Sequence, residues 1–253
     1  MLKYLLYLLA IVIFYNCAGT KPQPDWTASQ YFKYAKAKFD DEDYFDAANE
    51  FTVVVLRYAG STVADSAQLY LADCHYNMEE YIIAAAEYEK LITNMSRSPL
   101  VPEAQYKLAE SYFQLSPRPS LDQNYTEKAM REYQNFIEDY PNSELKESAE
   151  KKILLCREKL ATKQYKNAEG YRKMREFKAA IIYYGIVIDE YYDTTLADDA
   201  LIGMMKVHEE LKDYESAKAD YMKFKALFPQ SDLTGEANDL FTSLPEEYQT
   251  TEN

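Results

Sequence analysis

AANEF at residues 47–51 returns as AAAEY at 84–88, AMREY at 129–133, AIIYY at 180–184 and AKADY at 217–221. Each copy is an alanine followed four residues later by an aromatic, so both lie on one helical face, a turn apart. The anchor alanines Ala47, Ala84, Ala129, Ala180 and Ala217 are spaced by 37, 45, 51 and 37 residues. Twelve residues upstream stand Ala35, Ala72, Ala168 and Met205. In the third copy the matching Ala109 lies 20 residues upstream, and the eight extra residues fall around SPRPSLDQ, 116–123. Tyr44, Tyr81, Phe177 and Tyr214 precede their anchors by three. Eleven residues after the anchors stand Tyr58, Met95, Tyr140, Tyr191 and Phe228, and Pro141 and Pro229 stop two of the helices there.

Such recurrence reads as helix pairs in series. Small residues let the two helices of a pair approach, and the aromatic fills the space toward the next pair. A single pair cannot bury its own face, so pairs stack. The pattern resembles the tetratricopeptide repeat. It predicts an all-α solenoid of five helix pairs, over about 28–58, 65–95, 102–140, 161–191 and 198–228. An extra linker helix is expected at 144–160 between repeats three and four, where Leu145, Ala149, Ile153, Cys156 and Leu160 recur at helical spacing. Ser143 is its expected N-cap, and the helix could run on into the fourth repeat. The expected divisions are repeats one to three at 28–143, the linker, repeats four and five at 161–242, and a polar tail at 243–253 that frays.

Composition agrees with helices. The 253 residues include 25 Tyr and 11 Phe but only 6 Gly and 9 Pro, too few punctuators for a sandwich or barrel. No Gly-rich phosphate loop occurs. The formal charge of −14 repels phosphates, which excludes nucleic acid as a partner and adsorption to anionic lipid by charge alone.

The start, MLKYLLYLLAIVIFYNC, is a basic residue, an apolar run too short to span a bilayer, and Cys17. It resembles a bacterial lipoprotein signal, with 1–16 removed and Cys17 acylated. Asn16 and Phe14 depart from the usual residues, and the alternative is an ordinary signal peptide with a coincidental cysteine. Residues 17–27 then read as a tether. Cys74 and Cys156 fall within apolar helical patterns and are expected as buried thiols rather than a disulfide.

No motif for a nucleophile, a metal or a cofactor occurs, so no enzyme and no cofactor is expected. His75 and His208 share a repeat slot that holds Tyr112 and Tyr171 elsewhere, so both read as packing residues. The candidate binding positions lie on the first helix of each pair, on the face a solenoid turns into its concave groove. They are Phe32, Lys36 and Phe39; Leu69, Asp73 and Tyr76; then Tyr106, Glu110 and Phe113. Exposed aromatics there suit an extended or aromatic-ended peptide. The alternative is that a helix of the same chain covers them. In the last two repeats the positions hold Tyr165, Glu169 and Arg172, then Ile202, Lys206 and Glu209, a more charged set.

Three segments sharpen this reading: YKLAESYFQ (106–114) with LDQNYTEKAMREYQNFIEDYPNS (121–143), CREKLATKQYKNAEGYRKMREFKAAIIYYGIVIDEYYDT (156–194), and ADDALIGMMKVHEELKDYESAKADYMKFKALFPQS (197–231). They resemble the BamD family of outer-membrane protein assembly factors, lipoproteins of the β-barrel assembly machinery. Tyr192 stands where that family usually has Pro. The resemblance implies a non-enzymatic scaffold held by a lipid anchor at the periplasmic face of the outer membrane. It implies that the first three repeats receive unfolded outer-membrane proteins through C-terminal signals ending in an aromatic residue. It also implies that the last repeats, with Tyr165, Arg172 and Lys206 as candidates, dock on a periplasmic domain of the central barrel protein and on accessory lipoproteins. A different periplasmic repeat scaffold, for envelope division or secretion, is the competing reading.

Overall fold

The computed structural model describes residues 22–249. The expected export signal, Cys17 and the first part of the expected tether lie outside the described residues, as do the last four residues of the tail. The described residues are all-helical, with no strand. The helices are α1 (Ala28–Asp40), α2 (Tyr44–Arg57), α3 (Ala64–Asn77), α4 (Tyr81–Asn94), α5 (Val101–Leu115), α6 (Asn124–Asp139), α7 (Lys146–Lys173), α8 (Phe177–Glu190), α9 (Ala197–Leu211), α10 (Tyr214–Leu227) and α11 (Thr234–Thr242). A 3-10 turn follows at Glu246–Tyr248. Contacts divide the chain into two compact units, Met1–Val101 and Pro102–Asn253.

In the first unit α1 opens on a capping box. The Thr27 hydroxyl accepts the Gln30 N–H at 3.4 Å, and the Gln30 side chain accepts the Thr27 N–H at 2.8 Å. Ala35 of α1 and Ala47 of α2 are fully buried where the helices meet, and Phe51 and Val54 fill the space toward Ala67, Leu71 and Cys74 of α3. In the next pair Ala84, Tyr88 and Leu91 are buried on α4.

In the second unit α5 and α6 pair through Ala109, Ala129, Tyr133 and Phe136. The 28-residue α7 then runs without a break from Lys146 to Lys173. Where the sequence sets 144–160 apart as a linker, that stretch and the first helix of the fourth pair are one element. Nothing between them, neither Pro nor Gly before Gly170, interrupts the ladder. Its first half packs Ala149 and Cys156 against the α5–α6 core, and its second half packs Ala161 and Ala168 against Ala180 and Tyr184 of α8. Pairs three to five therefore share one unit. The helix begins three residues later than the expected cap, and the Ser143 hydroxyl instead accepts the Leu145 N–H at 3.2 Å in the turn before it.

The middle of α7 also fastens two loops. Lys159 donates to the Ser116 carbonyl at 3.2 Å and Lys163 to the Leu121 carbonyl at 3.0 Å, holding the Pro-rich insertion. Arg157 grips Asp193 with Nε at 2.9 Å and Nη2 at 2.6 Å, and the Glu158 carboxylate accepts the Thr195 N–H at 2.7 Å, holding the turn between α8 and α9. Within the insertion, buried Gln123 donates to the carbonyls of Arg118 at 3.0 Å and Leu121 at 3.1 Å and accepts from Thr126 at 2.7 Å.

The C-terminal end departs from expectation. Residues 234–242 form α11, which buries Ala237 and Phe241 against the fifth pair, with the Phe241 ring stacked on Tyr221 at 4.1 Å. The tail does not fray where it is described. Leu244 is buried, Tyr248 lies 5.4 Å from the Tyr214 ring, and Gln249 donates to the Leu244 carbonyl at 2.6 Å. The last pair exposes an apolar face that this segment covers, as the end of a stacked array requires.

Candidate functional site

In the first unit the sequence-derived positions of α1 come together around a residue the sequence reading passed over, Tyr70 of α3. Phe32 lies 5.8 Å from Tyr70, Phe39 lies 5.1 Å from it, and Phe51 stacks beneath it at 5.4 Å. Tyr44 closes the edge, 5.3 Å from Phe39. Phe32, Phe39 and Tyr70 are half-buried. Lys36 sits above them, its Nζ 5.3 Å from the Tyr70 centroid and 5.9 Å from that of Phe39, and it pairs with Asp40. That hydrogen bond is the chief reason the Lys36 pKa is raised. The result is a half-buried aromatic floor with one cation over it. Candidate Leu69, one residue earlier, points to another side of α3, so the candidate spacing gives no signal for Tyr70.

The remaining α3 positions behave differently. Leu69 is buried. Asp73 is buried too, and accepts the Tyr88 hydroxyl at 2.5 Å. Tyr76 is half-buried, edge-on to Tyr81 at 5.2 Å.

Asp73 belongs to a register that recurs. The buried Tyr133 hydroxyl donates to Glu110, and the buried Tyr184 hydroxyl donates to Glu169. In each case the aromatic of the second helix reaches the central groove position of the first. A buried phenol needs an acceptor, and a carboxylate provides one. In the first pair the aromatic is Phe51, which has no hydroxyl, and the partner position holds Lys36. In the fifth, Tyr221 turns its hydroxyl to Asn238 of α11 at 2.9 Å, and the position holds Lys206. Asp73, Glu110 and Glu169 thus complete the core.

In the third pair the alternative left open by the sequence applies, because α7 lies over the candidate face. The Tyr106 hydroxyl bonds the Ser148 hydroxyl at 2.8 Å, Lys152 pairs with Glu110 at 2.9 Å, and Lys152 Nζ sits 4.2 Å above the Phe113 ring. Tyr106 and Phe113 stay half-buried but are engaged by their own chain.

The charged set of the last pairs is likewise knitted together. Tyr165 packs edge-on to Tyr184 at 5.9 Å, and burial pushes its hydroxyl up to about 12. Arg172 bridges Glu169 at 3.2 Å and Glu210 at 3.5 Å. Lys206 pairs with Glu236 of α11 at 2.6 Å, and the Ser243 hydroxyl donates to Glu209 at 3.2 Å. Ile202 is buried.

The histidines take packing positions with a carboxylate each. His75 Nδ1 lies 2.7 Å from Glu80, and His208 Nδ1 lies 2.6 Å from Asp220. Both Cys74 and Cys156 are buried thiols, and burial pushes them up to about 12 and about 11. No group of side chains able to hold a metal ion, and no helix long and apolar enough to cross a membrane, is present among the described residues.

The sequence profile of the YfiO family, described as outer membrane lipoprotein, matches residues 24–223. The chain belongs to this family. The YfiO match takes in the segments 106–143 and 156–194, on which the resemblance to BamD rests, and most of the third. No curated protein matches the chain. Among solved structures, a tetratricopeptide repeat protein from Parabacteroides merdae aligns over 85% of this chain and 72% of its own, at 12% identity and a TM-score of 0.38. The TPR2AB domain of yeast Sti1, in a complex with pHSP90, aligns over 85% of this chain and 97% of its own, at 12% identity and a TM-score of 0.40.

Proposed function

We propose that this outer membrane lipoprotein is a non-enzymatic scaffold of the β-barrel assembly machinery, anchored through acylated Cys17 at the periplasmic face of the outer membrane. It receives unfolded outer-membrane proteins in its first unit. The observation that carries this reading is the half-buried floor of Phe32, Phe39 and Tyr70 under Lys36. An extended client ending in an aromatic residue carries a ring and a terminal carboxylate side by side. The ring suits the floor, and the carboxylate suits Lys36 in exchange for Asp40. Leu69 is buried, and Asp73 and Tyr76 pack toward α4, so they contribute less to the client face. Tyr106 and Phe113 belong to the second unit and are held by α7.

The charged face of the second unit, with Tyr165, Arg172 and Lys206, docks on a periplasmic domain of the central barrel protein and beside accessory lipoproteins. Membrane attachment is by the lipid anchor, and nucleic acid is not a partner.

The test is binding of a peptide ending in Phe with a free carboxylate, against the same peptide amidated. Lys36→Glu and Phe39→Ala should each weaken the free-acid peptide by about tenfold, the scale of one binding hot spot. Equal binding of both peptide forms to the native chain would overturn the client reading. In membranes, Arg172→Glu with Lys206→Glu should lose the large β-barrel protein from a mild-detergent pull-down. Recovery of division or secretion components by the native chain instead would favour the competing scaffold.

A further inference from the structure

The α1 helix has two unlike stripes. Its inner stripe, Tyr31 and Ala35, is buried against α2 and α3. Its outer stripe carries Gln30, Lys33 and Ala37 in the open, with half-buried Tyr34 and, from the preceding loop, half-buried Trp26. These residues line a shallow cleft whose far end is formed by Lys38, Asp41 and Asp43.

Trp26 is fixed there. Its ring stands edge-on to Tyr31 at 5.5 Å and to Tyr34 at 5.7 Å. Its carbonyl accepts the Tyr58 hydroxyl at 2.7 Å, and Arg57 donates to the Pro24 carbonyl at 3.1 Å. The expected tether is therefore docked on the end of α2 from Pro24 onward. Cys17 precedes Pro24, the first docked residue, by seven residues. Seven extended residues reach at most about 25 Å. An acyl group seated in a bilayer through Cys17 thus keeps the Trp26 end of α1 within about that reach of the headgroups.

The chemistry of that end suits the place. The chain has one Trp, and it stands here with Tyr34 and the exposed Lys33. Indole, phenol and a long-stemmed ammonium are the side chains that membrane interfaces favour, being apolar in body and polar at the tip. Polarity changes along the helix, because its other end runs into Asp40, Asp41, Glu42 and Asp43. A formal charge of −14 removes general electrostatic adsorption as the cause.

We infer that the outer stripe of α1, with Trp26, Lys33 and Tyr34, rests on the headgroup layer of the membrane that holds acylated Cys17. This rests on the lipid-anchor reading above. It orients the first unit with the Trp26 end of the cleft on the headgroups and the Asp41 and Asp43 end tilted off them.

Trp26 is the natural probe, since all tryptophan emission is its own. The full chain, made with its own export signal, is reconstituted in phosphatidylethanolamine and phosphatidylglycerol vesicles whose acyl chains are brominated near the carbonyl. Flotation of the vesicles reports the anchor separately. The expected result is flotation together with about a twofold loss of Trp26 emission relative to unbrominated lipid, as for an indole at headgroup depth. Lys33→Glu with Tyr34→Ser should restore most of that emission while flotation persists. Flotation with unchanged emission would overturn the inference and leave the anchor standing. Failure to float would overturn both.

Discussion

Tyr133 and Tyr184 place a phenol hydroxyl in the core and a carboxylate against it. Burial first, and then the bond to Glu110 or Glu169, pushes both hydroxyls far above their ordinary value of 10.0. A raised folded pKa means that the bound proton favours the folded state. The contribution is intact below about pH 10 and is lost as pH rises beyond it. Absorbance of tyrosinate should therefore rise in two stages, exposed phenols early and Tyr133 and Tyr184 with unfolding; smooth titration of all tyrosines in a folded chain would contradict it. At the other limit, burial alone would raise Glu169, but bonds from Arg172 and Tyr184 outweigh it and leave it below 4.5. Its contribution is present above that value and fades as pH falls through the lowered pKa. The Tyr184 ring also requires Gly203, where an added Cβ would fall 2.4 Å from the ring. Gly203→Ala should cost about 1–3 kcal/mol in denaturant unfolding, since both ring and backbone are fixed.

Between the helices of four pairs the chain turns on a non-glycine residue with positive φ: Glu42 at 61°, Glu79 at 62°, Arg175 at 61° and Lys212 at 60°. The following N–H reaches back five residues each time, as from Asp213 to the His208 carbonyl at 2.9 Å. Glycine is the unstrained residue at such a position. Lys212→Gly, at an exposed site, should stabilise the chain by about 0.5 kcal/mol, a gain readable in the midpoint of denaturant unfolding. An unchanged or lowered midpoint would mean that the side chain repays its own strain. Boundaries were legible in four of the five pairs because the aromatic that opens the second helix recurs three residues before the anchor alanine. The union of 144–160 with the fourth pair was harder to read, since a capping Ser143 followed by acidic residues also announces a new helix. Only the packing of both halves of α7 in one unit shows what the uninterrupted ladder is for.

Across the whole molecule, stability should follow nearest neighbours, as in other stacked helix pairs. Ala180 is fully buried where α8 meets α7. Ala180→Leu should cost about 1–3 kcal/mol by overpacking. Hydrogen exchange should then speed up in Pro102–Asn253 more than in Met1–Val101, and equal loosening of both would contradict this. The candidate binding face was partly legible. Phe32, Lys36 and Phe39 were named from their spacing alone and do assemble. Tyr70 escaped because a position adjacent in sequence on a helix points elsewhere until the neighbouring helix is placed.

Periodicity by itself determined the all-helical class and the outer limits of the first, second, third and fifth helix pairs to within a residue. These follow from local geometry, which repeats wherever the residues do. Tertiary structure alone decided which candidates were already in use: Asp73, Glu110 and Glu169 by buried tyrosines, Tyr106 and Phe113 by α7, Lys206 and Glu209 by the C-terminal segment. A side chain's exposure depends on what packs over it, and those covering elements, α7 and α11, sit where the repeat pattern breaks off.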